Sequence, residues 1–244
     1  LFTDVGNGKT LIAGAITDKG VPTNPSDTFS AMAENIGEIG KLIEKDGDLL
    51  FTKESPDYGG AIYALTSDDN YIYVGGATDQ RVKKLNKSDL SLVAESPNYG
   101  GTIYAITSDD NYIYVGGFIG GLGGSGQETV KKFNKSNLSL VATSPDFGGA
   151  IYAITSDDNF VYVGGAAGLV NGRVKKFNKS NLSLVATSPD YGGVIQAITI
   201  DNNYVYVGGE VTRAVRRFNK SNLSLVATSP SYGGTIYAIT SDDN

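Results

Sequence analysis

The chain lacks several residue types on which common protein chemistry depends. Its 244 residues include no histidine, no cysteine and no tryptophan, and only one methionine. Without cysteine there is no disulfide and no thiolate metal site. Without histidine the chain lacks the usual general base and the most common metal ligand. We therefore expect a protein that is not an enzyme and that has no catalytic residue, no metal site and no cofactor.

Long apolar runs and excess positive charge are also missing. No apolar stretch is long enough to span a membrane, and no secretory signal is visible. The net charge is −6, which disfavours nucleic acid as a partner because the phosphate backbone attracts basic surfaces. We expect no membrane span and no nucleic-acid partner.

What the chain has in abundance is one repeated unit. The phrase Ser-Pro-x-aromatic-Gly-Gly, or a close variant, begins at Ser55, Ser96, Ser144, Ser188 and Ser229. The steps between these serines are 41, 48, 44 and 41 residues. Each complete unit contains four short runs rich in β-branched and aromatic residues, separated by Asn- and Asp-rich turns. A period of about 40–45 residues with four strands per unit is typical of a β-propeller blade.

The first unit shows the four predicted strands, which we label A to D. They are Ile62–Leu65, Tyr71–Val74, Val82–Leu85 and Leu90–Val93. The unit resembles a WD-repeat blade in its Gly-Gly before strand A, its Asp-Asp-Asn turn and its Gly-Gly after strand B. The Trp-Asp dipeptide of that family is replaced by Phe-Asn, as at Phe133-Asn134. The resemblance therefore implies the architecture and not membership of the family.

The sequence predicts an all-β propeller of four-stranded blades over residues 46–244, after a small N-terminal segment, residues 1–45, that contains one helix. Residues 41–55 align without a gap on residues 130–144, so we expect the chain to enter the ring with strands C and D of one blade. The last unit, from Ser229, supplies strand A and stops inside the following turn. Four full units and two partial ones make five blades the minimum.

The N-terminal segment has a helical pattern over about residues 27–44. Its apolar residues are spaced by 3, 4, 3 and 4, and they are Phe29, Met32, Ile36, Ile39 and Ile43. One interpretation is a single amphipathic helix that packs on the propeller rim. The other is a short parallel coiled coil, with a trimer favoured, since this spacing is an a/d heptad seam.

The same segment resembles a known family. Residues 4–10 (Asp-Val-Gly-Asn-Gly-Lys-Thr), 13–21, 26–29 and 32–36 resemble a segment of tail and tail-fibre proteins from phages and prophages of Gram-positive bacteria. The resemblance covers about 35 residues, and it implies a place in a virion tail among other tail proteins. It carries nothing over about the repeats.

Two recurrent pairs of charged residues have a structural and a functional interpretation each. The Asp pairs, such as Asp68-Asp69, fit turn formation better than calcium binding or acid–base work, because adjacent turn residues rarely point at one ion. The basic pairs, such as Lys83-Lys84, lie on strand C. One residue of each pair is expected to face solvent, as part of either a solvated outer surface or a polyanion-binding belt.

The predicted ligand surface is the face formed by the D–A and B–C loops, which we call the loop face. The A–B and C–D turns form the opposite, turn face. All variation in unit length falls on the loop face, and such insertions often mark a binding face. The candidate ligand residues there are Tyr58, Tyr99, Phe147, Tyr191, Tyr232 and Phe118. The alternative for the five aromatics beside Gly-Gly is that they fill space between blades.

The sequence therefore predicts a structural tail protein whose propeller attaches to a glycan or protein on the host surface, or to neighbouring tail proteins. Such a protein is made in the bacterial cytoplasm and acts outside the cell. The alternative is a free-standing propeller lectin or adhesin.

Overall fold

The computed structural model describes residues 55–120, 127–166 and 171–242. The chain divides into two compact units, Leu1–Glu54 and Ser55–Asn244. The first unit lies outside the described residues. The predicted helix over residues 27–44, the oligomerisation seam from Phe29 to Ile43 and the half-blade over residues 41–54 therefore stay predictions.

Sixteen strands make up the described part of the second unit, in four sheets. Sheet 1 contains β1 (Ile62–Ser67), β2 (Tyr71–Gly76), β3 (Lys83–Asn86) and β4 (Leu92–Glu95). Sheet 2 contains β5 (Thr102–Ser108), β6 (Tyr112–Phe118), β7 (Lys131–Asn134) and β8 (Leu140–Thr143). Sheet 3 contains β9 (Ile151–Ser156), β10 (Phe160–Gly165), β11 (Val174–Asn178) and β12 (Leu184–Thr187). Sheet 4 contains β13 (Ile195–Ile200), β14 (Tyr204–Gly209), β15 (Arg216–Asn219) and β16 (Leu225–Thr228).

Each sheet pairs its four strands in chain order, and all the pairs are antiparallel. The prediction of an all-β fold built from four-stranded repeats is confirmed. The described residues contain no helix, and so none that is long and apolar enough to cross a membrane.

The first strands of neighbouring sheets lie against each other, in the order β1, β5, β9 and β13. This arrangement is consistent with a propeller, but the four sheets do not close a ring. Residues 229–242 of the fifth unit contain no assigned strand, yet they lie against sheet 4. There Ile236 donates its N–H to Gly209 O at 3.2 Å, and Ser241 donates its hydroxyl to Ile200 O at 2.8 Å.

A Gly-Gly pair at or next to the end of the second strand of each sheet allows close packing. A Cβ on Gly116 would lie 2.4 Å from Ile151 of the next sheet, and a Cβ on Gly117 would lie 1.9 Å from the carbonyl oxygen of Thr102. The first glycine thus makes room for the neighbouring sheet. The second makes room for a β-bulge in its own sheet, between Ile103 and Ala105.

The core lies between neighbouring sheets. One cluster joins Tyr73 and Val82 of sheet 1 to Tyr99, Ile113 and Phe133 of sheet 2, and equivalent clusters join sheets 2 to 3 and 3 to 4. Burying one such side chain stabilises the fold by about 1.5–3 kcal/mol. A single sheet cannot form this core, so each unit depends on its neighbour.

The predicted start of strand D is wrong by two residues, because a leucine completes the preceding turn. Leu90 and its equivalents Leu138, Leu182 and Leu223 have φ of 58–59°. Leu138 donates its N–H to Asn134 O at 2.8 Å, which closes the turn. Three of these four side chains are fully buried. Burial offsets the strain of the left-handed backbone at this leucine. Because the leucine belongs to the turn, the strand of sheet 2 begins only at Leu140.

Candidate binding clefts between neighbouring sheets

The first aspartate of each A–B turn organises the turn face. Asp109 accepts the N–H groups of Asn111 and Tyr112 on one oxygen, at 2.8 and 2.7 Å. Its other oxygen accepts the Tyr114 hydroxyl at 2.9 Å and lies 3.0 Å from Nζ of Lys179 in sheet 3. The turn-forming interpretation of the Asp pairs is confirmed for this residue. The ion pair to the next sheet is an additional role.

These contacts hold the aspartates in the charged form. For Asp68, burial acts to raise the pKa, but hydrogen bonds from the Tyr71 N–H, Lys135, the Asn70 N–H and the Tyr73 hydroxyl outweigh it and lower the pKa to about 2. The pKa values of Asp109 and Asp157 are lowered in the same way, against the effect of burial. The aspartates are therefore fixed anions at neutral pH.

The second lysine of each strand-C pair also joins two sheets. Lys132 is 4% exposed, and its Nζ lies 3.8 Å from the centre of the Tyr112 ring. It donates to the carbonyl oxygens of Lys179 and Ser180 in the next sheet, at 2.8 and 3.4 Å. Lys84 and Lys176 make equivalent contacts. The prediction that one residue of each pair faces solvent therefore cannot refer to the second lysine, which is buried, whereas the first is half-buried.

Between these contacts the turn face has several openings, and three of them are equivalent clefts at successive junctions. Cleft I, between sheets 1 and 2, has a volume of about 320 Å³ and is lined by Asp68, Tyr71, Tyr73, Lys84, Asp110, Asn111, Tyr112, Asn134, Lys135 and Ser136. Cleft II, between sheets 2 and 3, has about 410 Å³ and is lined by Asp109, Asp110, Asn111, Tyr112, Tyr114, Lys132, Asp158, Asn159, Asn178, Lys179 and Ser180. Cleft III, between sheets 3 and 4, has about 460 Å³ and is lined by Asp157, Asn159, Phe160, Tyr162, Lys176, Asn202, Asn203, Asn219, Lys220 and Ser221.

Two kinds of polar group line each cleft. The first aspartate and the lysines are already paired with each other or with backbone carbonyls, as shown for sheets 2 and 3. The second turn residue and the asparagine after it, Asp110 and Asn111 in cleft I, are exposed. Their side chains make no hydrogen bond within the described ranges. They are the groups that can meet a ligand.

The described residues contain no group of three or more acidic side chains that could hold a metal ion. The paired aspartates have lysine partners, and Asp110 and Asp158 belong to different turns.

Four of the predicted ligand aromatics lie in the core instead of at the surface. Tyr58, Tyr99, Phe147 and Tyr191 are at most 5% exposed. Their rings therefore cannot present a face to a ligand. The alternative that they fill space between units describes Tyr99, Phe147 and Tyr191, whereas Tyr58 packs against Val74 and Leu85 of sheet 1. Tyr232 and Phe118 are 83% and 41% exposed, and both stay candidates on the loop face.

Tyr99 shows what a buried aromatic does on the loop face. Its N–H donates to Gln80 O in the B–C loop of sheet 1 at 2.7 Å, and its hydroxyl donates to Thr129 O in sheet 2 at 2.7 Å. Nζ of Lys131, the first lysine of the strand-C pair, lies 5.2 Å from the centre of the ring and donates to Tyr99 O at 2.7 Å. The aromatic thus joins two sheets.

The clefts were not predicted from the sequence, because variation in length between units indicated the loop face as the binding surface. The turn face is nearly constant and has no insertion. The available signal was the repeated pairing of Asp-Asp-Asn with Asn-Lys-Ser in successive units, which places the same polar set at each junction.

Comparisons with known proteins show a likeness of fold but no family. No family model and no curated protein matches the chain. Among solved structures, the chain is similar to the computationally designed protein Ika4, with a TM-score of 0.58 and 20% identity over 71% of this chain and 99% of Ika4. It is also similar to the designed protein Ika8, with a TM-score of 0.52 and 15% identity over 75% of this chain; it spans 66% of Ika8. Since such likeness concerns the fold alone, function must be inferred from the site.

Proposed function

We propose that the repeats belong to a β-propeller of at least five blades that serves as a non-enzymatic attachment component of a phage or prophage tail. The observation that carries the attachment role is the threefold recurrence of one polar cleft on a single face. The tail setting rests on the resemblance of the N-terminal segment. In this proposal the protein acts in the virion tail, among other tail proteins, and binds a glycan or protein of the host surface.

Support for a propeller comes from the junctions between sheets. Each of the three junctions uses the same lysine, aspartate and glycine contacts, and Ile236 and Ile239 pack on Gly208 as their equivalents pack on Gly75 in sheet 1. A repeated junction rotates each unit by a similar angle, which leads toward a ring. An experimental structure in which residues 229–242 were detached from sheet 4 would contradict this proposal.

Recurrent clefts suit attachment because weak sites on one rigid face reinforce each other. Binding at a second site becomes intramolecular once the first is occupied, and avidity can exceed single-site affinity by about 10²–10⁴-fold. A host surface with repeated ligands offers such a partner. An oligomer through residues 29–43, with a trimer favoured, would multiply the sites again.

The charged groups of the clefts suit binding better than catalysis. A general acid or base works best with a pKa near the operating pH. For the first aspartates, burial acts to raise the pKa, but the hydrogen bonds that they accept outweigh it and lower the pKa instead. Their carboxylates are thus fixed as anions at neutral pH, which favours a static binding surface.

The alternative is a free-standing propeller lectin or adhesin, which the same clefts would serve equally well. The oligomeric state separates the two. A trimer that is lost when Ile36 and Ile39 are changed to Asp would favour the tail protein. A monomer would favour the free-standing lectin.

The attachment role can be tested with the labelled full-length chain on a panel of Gram-positive cells and isolated cell walls. We expect saturable binding that falls strongly in the double variant Asp110→Arg/Asp158→Arg, because the long side chains obstruct clefts I and II and leave only cleft III open. The matched control is Asp69→Arg, at the same turn position in sheet 1 but outside the three clefts. Absence of binding to every cell and wall would refute attachment to a host and leave only contacts with neighbouring tail proteins.

A further inference from the structure

We propose that the three clefts are saccharide sites that take a neutral, hydroxyl-rich ligand. This inference rests on the proposed attachment function and names the class of ligand at the same surface. It depends on which polar groups of the clefts are already paired and which are open.

The cations of the clefts are already paired, which disfavours an anionic ligand. In cleft II, Lys132 donates to two carbonyl oxygens of sheet 3. Lys179 lies 3.0 Å from Asp109 and donates to Asp157 O at 2.7 Å. A phosphate or sulfate would have to displace these contacts. Its charge would also meet the carboxylates of Asp110 and Asp158, which line the same cleft.

The open groups match hydroxyl groups in both hydrogen-bonding directions. The carboxylate of Asp158 is an acceptor only, so it suits a ligand that donates. The amide of Asn159 both donates and accepts, and the Nδ2 group of Asn178 donates nothing within the described ranges. A sugar hydroxyl is donor and acceptor at once. Several hydroxyl groups on one small sugar ring can therefore hydrogen-bond to Asp158, Asn159 and Asn178 without leaving a buried charge unpaired.

The size and openness of the clefts suit a small saccharide. Their volumes of about 320–460 Å³ lie in the lower part of the range of about 300–1,000 Å³ for small-molecule sites. Each cleft also has an aromatic ring in its wall: Tyr71 in cleft I, Tyr112 in cleft II and Phe160 in cleft III. The lysine covers one side of the ring, as Lys132 covers Tyr112. The polar turns therefore supply most of the contacts.

Cleft III is a natural variant of the other two. Asn202 stands where Asp110 and Asp158 stand in clefts I and II, and Phe160 stands where they have a tyrosine. Cleft III therefore lacks the open carboxylate of its own outer turn. We infer that it binds the same class of ligand more weakly than clefts I and II.

Saturation-transfer NMR with methyl glycosides of glucose, galactose and N-acetylglucosamine tests the inference on the full chain. We expect at least one glycoside to bind with a Kd in the millimolar range, typical of a single open site, and inorganic phosphate not to compete. Asp110→Ala/Asp158→Ala should weaken binding about tenfold, the loss expected for a hydrogen bond to a charged group. Asp69→Ala is the matched control and should bind like the parent protein. Circular dichroism verifies that each variant is folded.

Any of three results would overturn the inference. No glycoside binds at a concentration about ten times the expected Kd, phosphate binds better than any glycoside, or the double variant binds the glycoside as tightly as the parent protein does. The cell assay separates the two proposals. Cell binding that none of the neutral glycosides competes away would refute the saccharide sites and leave the attachment function standing. Glycoside binding without any cell binding would refute attachment to a host and leave the saccharide sites standing.

Discussion

The turn face and the loop face join the same sheets by different means. On the turn face the contacts use side chains of defined length, such as Lys132 and the Asp109–Lys179 pair. On the loop face the bond between sheets runs from a backbone N–H to a backbone carbonyl, as from Tyr99 to Gln80 or from Phe147 to Glu128. Any loop that returns to the same place can supply a carbonyl.

This difference explains where the units vary. A side-chain contact requires the same residue in every unit, so the turn face stays constant. A backbone contact tolerates a new loop sequence and length, so the B–C loop can differ between units. Constancy of the turn face therefore has a structural cause, and it also produces equivalent clefts.

Acid should have the largest effect on the free energy of unfolding, because it protonates the aspartates at every junction of the turn face. A carboxyl whose pKa is lower in the folded state stabilises the fold above its unfolded pKa of about 4. That contribution is lost as the pH falls through the folded pKa, which for Asp68 is about 2. The pKa values of Asp109 and Asp157 are lowered too. We expect the free energy of unfolding to fall steeply between about pH 4 and pH 2.

Urea unfolding at a series of pH values measures this profile. In Asp109→Asn the free energy of unfolding should fall less steeply as the pH is lowered, because the substituted side chain no longer titrates. Asp110→Asn is the control, because that carboxylate has no hydrogen bond within the described ranges, and its profile should match the parent. A parent profile without an acid limb would show that the Asp–Lys contacts do not stabilise the fold.

Substitution of a packing glycine should have the largest effect of any single change near the loop face. In Gly117→Ala the new Cβ would lie 1.9 Å from a backbone oxygen, which no side-chain rotation can relieve. We expect a loss of about 3 kcal/mol or more. Gly234→Ala is the control, because no atom lies within 4 Å of its Cβ. It should change stability by less than about 1 kcal/mol. Equal effects of the two substitutions on urea unfolding would contradict the packing role.

The period and the turn residues of the sequence were enough to predict the four-stranded units and to place most strands within one or two residues. They could not predict that Tyr99 is buried, because a loop aromatic beside glycine fits a binding face and a core equally well. Burial of Lys132 was also hidden, since lysine is among the residues least often buried. Lys132 contacts Lys179 and Ser180, which lie 47 and 48 residues away along the chain, and Tyr99 packs between two sheets.

Removal of one turn-face lysine should have an intermediate effect. Nζ of Lys135 lies 3.1 Å from Asp68 and donates to Asp109 O at 2.9 Å. Lys135→Met keeps the length of the side chain and leaves both acceptors without this donor, so we expect a loss of about 1–3 kcal/mol in urea unfolding. Lys87 is its equivalent in sheet 1 and is exposed. Lys87→Met should change stability by about 0.5 kcal/mol or less. A similar loss in both variants would mean that turn composition, and not contact between sheets, sets the stability.

The smallest effect is expected from shortening the longest loop of the loop face. Residues 121–126 lie outside the described part of the chain, and the loop before them is held by Glu128, which accepts the N–H groups of Ile119 and Gly120 at 2.6 and 3.1 Å. Deleting residues 121–126 leaves a loop close in length to residues 77–81 of sheet 1. We expect a change of about 0.5 kcal/mol or less, because loop closure depends only weakly on length.

Cell binding of this deletion variant decides between the two faces as attachment surfaces. Unchanged binding, together with loss in Asp110→Arg/Asp158→Arg, would place attachment on the turn face. Loss of binding in a variant of unchanged stability would instead return the site to the loop face, where Phe118 and Tyr232 are exposed. In that case the constancy of the turn face would reflect its contacts between sheets alone. The clefts would then be a consequence of how the sheets are joined and not the means by which the protein attaches.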